Sequence, residues 1–457
     1  MTNVLVIGGG PAGMAAASTA AQHGLATTLI DEQAIPGGQV YRALPASYRI
    51  QGDLGADHRT GQALREELVR SAATVAMGHR VWNARSGFRV DTIAADGPQS
   101  WTAPALIVAT GTTERQLPFP GWTTPGVIGL AAATILIKSQ RLLPGRRVVV
   151  AGVGPLLAAV AIAIVKAGGE VAAIVDAARP SEWLAKLPRL AARPDLLLRG
   201  AHWVAQLHRA GVCHLGGHVV TRALGGDRLD AIELAALGAD GRPQQSTHSI
   251  ACDALTVGFG LVPNTDITRL LRARHVYAAQ RGGWIAEREA DMRSSVPGLY
   301  LAGDGGGISG AVAAELQGRL AAFAVLRDLD RFSTIAHAGA TAMLRQHHAR
   351  AARFGGAMAE LMAIRPALHR ATPADCIVCR CEDVPRSEID AAIDAGARDV
   401  NQLKAWTRAG MGPCQGKMCG DAVAELVAAR GGTRSTVGAF TARAPLRPLP
   451  TSALIGQ

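Results

Sequence analysis

The chain has 457 residues, of which 48% are hydrophobic and 18% are charged, and this balance excludes a mainly disordered protein. Its formal net charge is +11, but the basic residues are scattered without a long run of like charge, so we expect no nucleic-acid partner. Seven cysteines are too few for a secreted disulfide framework, and five of them lie together between Cys376 and Cys419.

A glycine-rich turn follows the first predicted strand. Residues 3–7 are an apolar, β-branched run typical of a buried parallel strand, and residues 8–13, Gly-Gly-Gly-Pro-Ala-Gly, lead from it into an Ala-rich predicted helix. This order is that of a dinucleotide-binding βαβ unit. Gly8 permits the tight turn, Gly10 lets the backbone approach a pyrophosphate, and Gly13 lets the helix pack closely on the strand. The helix N-terminus then offers its N–H groups to the phosphates.

A second predicted strand, Ala26–Ile30, ends at Asp31, about twenty residues beyond the glycines. A carboxylate at this position can accept hydrogen bonds from an adenosine ribose. A glycine motif alone is a weak sign, but the strand–turn–helix–strand context strongly predicts a dinucleotide site.

Two later segments indicate which dinucleotide is bound. Ala105–Gly111 is a buried predicted strand that ends in Ala-Thr-Gly, and Gly298–Asp304 is another that ends in Gly-Asp. Three glycines and the apolar predicted helix Ala311–Leu326 follow the second of these. Both endings resemble signatures of two-dinucleotide-binding flavoproteins of the disulfide-reductase superfamily. In that superfamily the Gly-Asp carboxylate binds the flavin side of FAD, and the resemblance implies this role for Asp304.

The βαβ pattern repeats in the middle of the chain. A predicted strand, Arg147–Ala151, leads into residues 152–157, Gly-Val-Gly-Pro-Leu-Leu, then into an apolar helix and the strand Val171–Val175. A second Rossmann-like domain is therefore predicted. Leu157 stands where the third glycine is expected and would push the helix from the strand unless the packing adjusts. Asp176 would suit NAD rather than NADP, and whether either is bound is left open.

The redox cysteine pair of a disulfide reductase is missing. The segment after the first βαβ unit, residues 36–41, contains no cysteine, and the second predicted domain contains only Cys213 and Cys252. We interpret both as small buried hydrophobic residues. The sequence therefore excludes a disulfide reductase.

The cysteine-rich segment predicts a metal centre. Cys379 and Cys381 form one close pair and Cys414 and Cys419 another, with predicted helices between the pairs. Four thiolates suit an iron–sulfur cluster or structural zinc, and the Cys-x-Cys spacing argues mildly against zinc. The spacing resembles that of the bacterioferritin-associated-ferredoxin-like (BFD-like) [2Fe–2S] domain. The resemblance favours these four cysteines, with Cys376 and Cys379 as an alternative first pair.

Over nearly its whole length the sequence resembles the FAD-binding large subunit of heteromeric amine and imino-acid dehydrogenases. This family includes the A-type component of octopine and nopaline oxidases, the B-type component of hydrogen cyanide synthases, and the α subunits of proline and hydroxyproline dehydrogenases. The resemblance implies an α/β fold with two Rossmann-like dinucleotide-binding domains and a small helical BFD-like [2Fe–2S] domain. The expected parts are a FAD-binding domain (1–115 and 280–330), an NAD-binding-like domain (116–279), a helical linker (331–373), the BFD-like domain (374–432) and a Pro/Arg-rich tail (433–457).

The cofactors implied are FAD and a [2Fe–2S] cluster. Some family members carry FMN at a subunit interface or ATP in place of FAD, and NAD is left open. The expected cofactor-binding residues are Gly8, Gly10, Pro11, Ala12, Gly13, Asp31, Glu32, Gly38, Gln39, Ala109, Thr110, Gly111, Gly152, Gly154, Gly303 and Asp304. The expected metal ligands are Cys379, Cys381, Cys414 and Cys419. No catalytic residue is expected, because the histidines lie mostly in polar, surface-like stretches without an acid partner at helix or turn spacing. We interpret His23, His58, His347 and His348 as solvated side chains.

In this family a separate glycine-oxidase-like FAD β subunit oxidises the small-molecule amine, and a small ferredoxin-like γ subunit is a further candidate partner. The leading hypothesis is therefore a subunit that receives electrons from that partner and passes them through flavin and cluster to an acceptor. Two alternatives stay open. One is a self-contained NADH-dependent ferredoxin-reductase-like flavoprotein, and the other is a scaffold subunit that holds ATP or ADP.

Two features bear on location and on the chain end. The longest apolar stretches, Val127–Ile137 and Pro155–Val165, fall short of the ~20 residues that cross a bilayer, so no transmembrane segment is predicted. We expect a cytoplasmic protein, with any membrane association made through its electron acceptor. Residues 433–457 are Pro-rich and aperiodic, which predicts a disordered end or an extended strap rather than helix.

Overall fold

The computed structural model of the chain describes residues 2–45, 55–245, 248–330 and 334–454. The chain forms two compact units. The first consists of Met1–Thr112, Pro263–Gly356 and Thr441–Gln457, and the second of Thr113–Val262 and Ala357–Phe440. The first unit carries the first glycine turn, and the second unit carries the second glycine turn and the cysteine-rich segment.

The strands are short and, in the two largest sheets, parallel. In chain order they are Val4–Ile7 (β1), Thr27–Asp31 (β2), Thr74–Met77 (β3), Arg80–Arg85 (β4), Arg89–Ala94 (β5), Gly97–Thr102 (β6), Ala105–Val108 (β7), Thr112–Glu114 (β8), Val127–Gly129 (β9), Arg147–Gly152 (β10), Glu170–Asp176 (β11), Cys213–Gly216 (β12), His218–Gly225 (β13), Leu229–Ala236 (β14), His248–Ala251 (β15), Ala254–Gly258 (β16), Leu261–Pro263 (β17), His275–Ala278 (β18), Gly283–Ala286 (β19), Leu299–Leu301 (β20), Ile377–Cys379 (β21) and Val384–Pro385 (β22).

The helices alternate with the strands in both Rossmann-like parts. In chain order they are Pro11–Gln22 (α1), Ala56–Arg70 (α2), Leu130–Ile135 (α3), Leu156–Lys166 (α4), Pro180–Leu190 (α5), Pro194–Arg209 (α6), Asp266–Leu270 (α7), Ala311–Asp328 (α8), Thr334–Leu361 (α9), Pro366–Arg370 (α10), Arg386–Asp394 (α11), Val400–Thr407 (α12), Gly420–Ala428 (α13) and Arg434–Val437 (α14). Within the described residues, no helix has the length and hydropathy needed to cross a membrane.

The first unit is built on a five-stranded parallel sheet in the order β20-β7-β1-β2-β3. Every residue of β1 is buried, since both faces of the sheet are covered. Val4 and Val6 belong to a core formed with α1 and α8, whereas Leu5 and Ile7 belong to a core on the opposite face. Because the strands are parallel, the segments that follow β1, β7 and β20 emerge at one edge of the sheet.

The second unit repeats this plan with a five-stranded parallel sheet in the order β12-β11-β10-β16-β9 and an antiparallel sheet, β13-β14-β15. The α/β fold with two Rossmann-like domains, predicted from the sequence, is confirmed. Leu157 is 1% exposed and packs in the same core as Val148 and Val150. The leucine at the third glycine position is therefore absorbed into the core between α4 and the sheet.

The cysteine-rich part of the second unit is a small helical domain with its own core. Helices α11, α12 and α13 bury Ile389, Leu403 and Val423 around the hairpin of β21 and β22. Asp399 caps α12 by accepting hydrogen bonds from the backbone N–H groups of Asn401 and Gln402.

The tail is an extended strap for part of its length. Leu446 is buried in the core of the first unit, and its N–H donates to the carbonyl oxygen of Trp82 at 2.8 Å. The expectation that the tail forms no helix is wrong for Arg434–Val437. This short helix forms because the hydroxyl of Thr433 caps it, accepting from the N–H of Thr436 at 3.2 Å.

Candidate nucleotide and cluster sites

The first glycine turn has a shape that requires glycine at two positions. Gly8 has φ of +108°, and a Cβ there would overlap the carbonyl oxygen of Ala109. A Cβ on Gly13 would overlap the carbonyl oxygen of Gly8, so the glycine lets α1 lie directly against the end of β1. These are the tight turn and the close helix packing that the sequence predicts.

The N-terminus of α1 opens onto this turn. Pro11 lies in its first turn, and Gly10 at the N-cap offers no side chain. Among the described residues, a Cβ on Gly10 would meet only the Cα of Gly38, at 3.9 Å. Ala12 is buried and faces α8, where a Cβ on Gly318 would overlap its carbonyl oxygen. The exposed face of the turn, with the N–H groups of a helix N-terminus behind it, fits a pyrophosphate.

Asp31 lies beside the turn at the end of β2. Its carboxylate accepts hydrogen bonds from the N–H of Gly9 and, at 2.7 Å, from the N–H of Gln33. Burial raises the pKa of Asp31, and these two N–H groups oppose the rise. Glu32 is exposed instead, with its carboxylate 3.5 Å from Nε of Arg80. Of the two adjacent acids, Asp31 lies against the turn, whereas Glu32 is exposed to solvent.

Gln39, expected to bind the cofactor, is exposed and accepts a hydrogen bond from Nη2 of Arg42 at 3.0 Å. Nη1 of Arg42 donates to the side chain of Gln33 at 3.1 Å. No sequence pattern pointed to Arg42, which adds a positive charge within reach of Asp31. The charge suits the phosphate side of a nucleotide.

The Ala-Thr-Gly and Gly-Asp segments meet at the same edge of the sheet. A Cβ on Gly305 would lie 3.4 Å from the carbonyl oxygen of Gly111 and from Oγ1 of Thr110. Asn264 holds the Ala-Thr-Gly segment, since its side-chain amide donates to the carbonyl oxygen of Thr110 at 2.8 Å and its backbone N–H donates to that of Gly111 at 3.0 Å. Asp304 accepts hydrogen bonds from the N–H groups that follow it in the loop, and burial raises its pKa.

A buried polar network behind Asp304 was missed by sequence reasoning. Gln317, 1% exposed, accepts from the N–H of Gly303 at 2.8 Å and from Nη1 of Arg288 at 3.1 Å. Its amide nitrogen lies 3.1 Å from Oγ of Ser309 and 3.0 Å from Nε2 of His348. Burial lowers the pKa of His348, so the expectation that this histidine is solvated is wrong. The only sequence signal was a glutamine inside the apolar helix α8.

The donor groups of this edge fit an adenine dinucleotide. A glycine turn at a helix N-terminus, uncovered by the described residues, suits the pyrophosphate, and the carboxylates of Asp31, at the end of β2, and Asp304, just after β20, lie at the same edge of the parallel sheet. FAD bound there supplies an acceptor of two electrons.

The second glycine turn differs from the first in what faces it. Gly152 has φ of +135° and packs against the backbone of β16, as a tight turn requires. Gly154 faces the side chain of Met362, and a Cβ on Gly154 would lie 3.3 Å from the Met362 sulfur. Asp176 is 2% exposed and accepts from Nε1 of Trp183 at 3.2 Å, and burial raises its pKa.

All seven cysteines are free thiols. Cys252 is buried, and burial raises the pKa of its thiol to about 11. The expectation of a buried thiol is wrong for Cys213, which is exposed because β12 is the edge strand of its sheet.

Four cysteine side chains lie near one another in the small helical domain, in contact as two pairs. Cys419 donates a hydrogen bond to the sulfur of Cys379, which lowers the pKa of Cys379 to about 6, and Cys381 is in hydrogen-bond contact with Cys414. The sulfurs thus meet as two pairs, and within the described ranges no group of three or more metal-binding side chains converges on one point. Two thiol pairs are a suitable donor set for a binuclear iron–sulfur cluster.

The loop before Cys414 closes around these sulfurs. A Cβ on Gly410 would lie 2.7 Å from the ring of Phe440, and the N–H of Gly410 bonds to the sulfur of Cys379. Cys376, the alternative first ligand, is buried, donates to the carbonyl oxygen beside it, and has its pKa raised to about 12 by burial. The contacts in the structure are Cys379 with Cys419 and Cys381 with Cys414, so each joins one cysteine of the first sequence pair to one of the second.

A buried ion-pair network joins the small helical domain to the second Rossmann-like part. Nε of Arg115, whose side chain is 1% exposed, donates to Asp421 at 2.8 Å, and Arg434 donates to Asp421 at 2.8 Å and to Glu425 at 2.7 Å. Burial alone would raise the pKa of Asp421, but the two arginines outweigh it and lower the pKa. Nη1 of Arg115 also donates to the carbonyl oxygen of Met362 at 3.1 Å.

Comparison with known proteins agrees with this geometry. The family described as pyridine nucleotide-disulphide oxidoreductase matches residues 2–318, and the BFD-like [2Fe-2S] binding domain matches residues 377–429. The HcnB component of hydrogen cyanide synthase from Pseudomonas protegens is 34% identical, over 99% of this chain and 97% of that protein. The A-type component of opine oxidase from Rhizobium meliloti is also 34% identical, over 98% of this chain and 97% of that protein. The crystal structure of L-proline dehydrogenase from P. horikoshii has a TM-score of 0.72 at 21% identity and shares the fold over 99% of this chain and 79% of its own.

Proposed function

This chain belongs to the pyridine nucleotide-disulphide oxidoreductase family, and from that premise we propose that it is the electron-transfer subunit of a heteromeric flavin-dependent amine dehydrogenase. The observation that carries the proposal is the combination, in one chain, of an uncovered nucleotide turn with two pairs of thiols. The first 212 residues contain no cysteine, so a dithiol does not compete for electrons beside the first turn.

The chain's own residues bind and position the two centres. Gly10 and the start of α1 hold the pyrophosphate, Asp31 orients the ribose, and Asp304 binds the flavin side of FAD. Four thiolates, those of Cys379, Cys381, Cys414 and Cys419, hold a [2Fe–2S] cluster that accepts one electron at a time. The domain boundaries and the ligand roles given above from the sequence are part of this proposal.

The amine is oxidised on a partner subunit in this proposal. The two 34%-identical relatives, from hydrogen cyanide synthase and opine oxidase, are both named as subunits, which supports a heteromeric assembly for this chain too. We expect a glycine-oxidase-like FAD β subunit, a small ferredoxin-like γ subunit and an FMN at a subunit interface. The substrate class is an opine, a proline-type imino acid or a glycine-type amine, and the complex lies in the cytoplasm, reaching a membrane only through its acceptor.

An anaerobic visible spectrum of the purified chain, recorded before and after dithionite, tests the two centres. We expect flavin bands together with a [2Fe–2S] absorption that both bleach on reduction. The variant Cys414→Ser should lose the iron–sulfur absorption and keep the flavin bands, whereas Cys376→Ser should keep both. A colourless chain that releases ATP or ADP on denaturation would favour a nucleotide-holding scaffold instead.

Activity measured with and without the partner tests the division of labour. The chain alone should leave opines and imino acids unoxidised with an artificial electron acceptor, and adding the β subunit should start turnover. Turnover of the amine by the chain alone would contradict the proposal. The flavin and iron content of both samples is the control for loss of cofactor.

A further inference from the structure

The second glycine turn is covered by a segment of the same unit. Residues 360–365, the covering segment, are the end of α9 and the loop that follows it. Met362 in this segment is 6% exposed, and its side chain lies against the face of Gly154. In a nucleotide-binding βαβ unit this face is where the backbone approaches the pyrophosphate. The position of the phosphates is therefore taken by a thioether side chain.

The covering segment is held at both ends by ion pairs. Glu360 pairs with Lys186 at 2.6 Å and with Arg189 at 2.5 Å. Arg365 donates to Glu182 at 2.8 Å, and Glu182 in turn accepts from the backbone at the start of α5. The side chains of these pairs are 19% to 37% exposed, so solvent weakens each one, but together they fix the segment on α5.

The middle of the covering segment is fixed by the backbone. The carbonyl oxygen of Met362 accepts from Nη1 of Arg115 at 3.1 Å. The same oxygen would lie 2.5 Å from a Cβ on Gly260, so glycine is required there for the segment to approach. Since Arg115 also pairs with Asp421, the covering segment and the small helical domain share one buried arginine.

The acid that would bind a ribose in this site is also occupied. Asp176 accepts from the N–H of Ala178 at 2.9 Å and from the indole N–H of Trp183 at 3.2 Å. It is 2% exposed, so a ribose hydroxyl could reach it only by displacing Trp183. By contrast, the face of Gly10 in the first site has only Gly38 near it among the described residues.

We infer that the covering segment blocks the second nucleotide site, so that this Rossmann-like domain binds no NAD(H). The domain instead packs against the segment that leads into the small helical domain. The inference concerns binding alone and is independent of the proposed function. It removes the self-contained NADH-dependent reductase as an alternative, because NADH has no site from which to reduce a flavin in this chain.

Two measurements on the full flavin-loaded chain test the inference directly: calorimetric titration with NADH, and hydrogen exchange with and without NADH. We expect no heat of NADH binding up to about 1 mM and no change in amide protection at residues 152–157. NADH binding with Kd below about 0.1 mM, accompanied by new protection at residues 152–157, would overturn it.

Variants test whether the covering segment is what closes the site. In Glu360→Ala/Arg365→Ala, amide exchange at residues 152–157 should rise at least about tenfold, since local opening follows the loss of the pairs. The matched control Arg228→Ala/Asp230→Ala, which removes an exposed pair from the same unit, should leave that exchange unchanged. Unchanged exchange in the first variant, together with unchanged exchange in Met362→Ala, would overturn the inference without bearing on the flavin or the cluster.

Discussion

The two glycine turns of this chain have the same plan and opposite surroundings. Of the residues that the structure describes, only Gly38 would meet a Cβ on Gly10, whereas Gly154 faces the side chain of Met362. The acid beside the first turn, Asp31, is half-buried, and the acid beside the second, Asp176, is 2% exposed and bonded to an indole. A strand–turn–helix motif therefore establishes a fold, and what covers the turn decides whether a nucleotide can enter.

The two sites also differ in what stabilises them, a bound ligand or the chain itself. In the proposed function the first site gains stability from its ligand, because the described residues leave the N-terminus of α1 uncovered. The second site is stabilised by the chain itself, through the covering segment and the buried pairs around Arg115. A substitution at the first site should therefore change flavin binding, whereas one at the second site should change the free energy of unfolding of the second unit.

The largest effect should come from Arg115→Met, which removes the group shared by the covering segment and Asp421. Loss of one partner of a buried pair costs about 3 kcal/mol, the lower end of the usual range because Arg434 still contacts Asp421. Hydrogen exchange at strands β10 and β16 measures this local free energy of unfolding. Arg228→Met, at an exposed site, should change this free energy little. Equal effects of the two variants would contradict the claim that the chain itself stabilises the second site through Arg115.

A matched pair of alanine substitutions sharpens the comparison next. Gly154→Ala should cost the second unit about 2 kcal/mol, because φ of +94° is unfavourable for alanine and Met362 must move, and flavin binding should be unaffected. Gly10→Ala should leave stability almost unchanged, since Gly10 has an ordinary φ of −74° and space for a Cβ, yet weaken flavin binding at least about tenfold.

Flavin titration and urea unfolding of both variants check this pair. Gly200→Ala is the control, because its Cβ would meet none of the described residues within 4 Å. If Gly10→Ala destabilised the chain and kept its flavin, the first turn would be a structural feature rather than a ligand site.

The smallest effect is a pH dependence confined to the second unit. Burial raises the pKa of Glu114 to about 7, from an ordinary value of 4.5. Between these values the unfolded chain gives up the proton that the folded chain keeps, so stability is full below about pH 4.5 and falls as the pH rises through 7. The loss should be roughly 1.5 kcal/mol, allowing for partial exposure of the side chain.

Glu114→Gln should remove this dependence. Urea unfolding of both proteins is measured at pH 5 and pH 8. The difference in the free energy of unfolding between wild type and variant at each pH gives the contribution of Glu114 to stability. A wild-type chain that becomes more stable relative to the variant on raising the pH would show that the carboxyl is ionised and stabilised in the fold.

The sequence predicted the parts of this structure that depend on near neighbours. The turn at residues 8–13 and the spacing of the cysteines are local patterns, and the fold formed around them follows from strand and helix periodicity. Two contacts could not be predicted from the sequence, that of Met362 with Gly154 and that of Arg115 with Asp421. The second pair lies 306 positions apart, and no local pattern in either segment indicates its partner. His348 and Cys213 were misjudged for the same reason, because burial is set by distant elements.

Nucleotide released from the purified full chain tests the central contrast most directly. The chain is denatured, and the released nucleotides are identified by mass and quantified per chain. One sample then reports the occupants of both sites. We expect one FAD per chain, with a reduced FAD content in Gly10→Ala and an unchanged one in Gly154→Ala, and no NAD from either the wild type or the variants. Release of one NAD together with one FAD per chain would contradict this expectation, because FAD then occupies the first turn and NAD could come only from an open second turn.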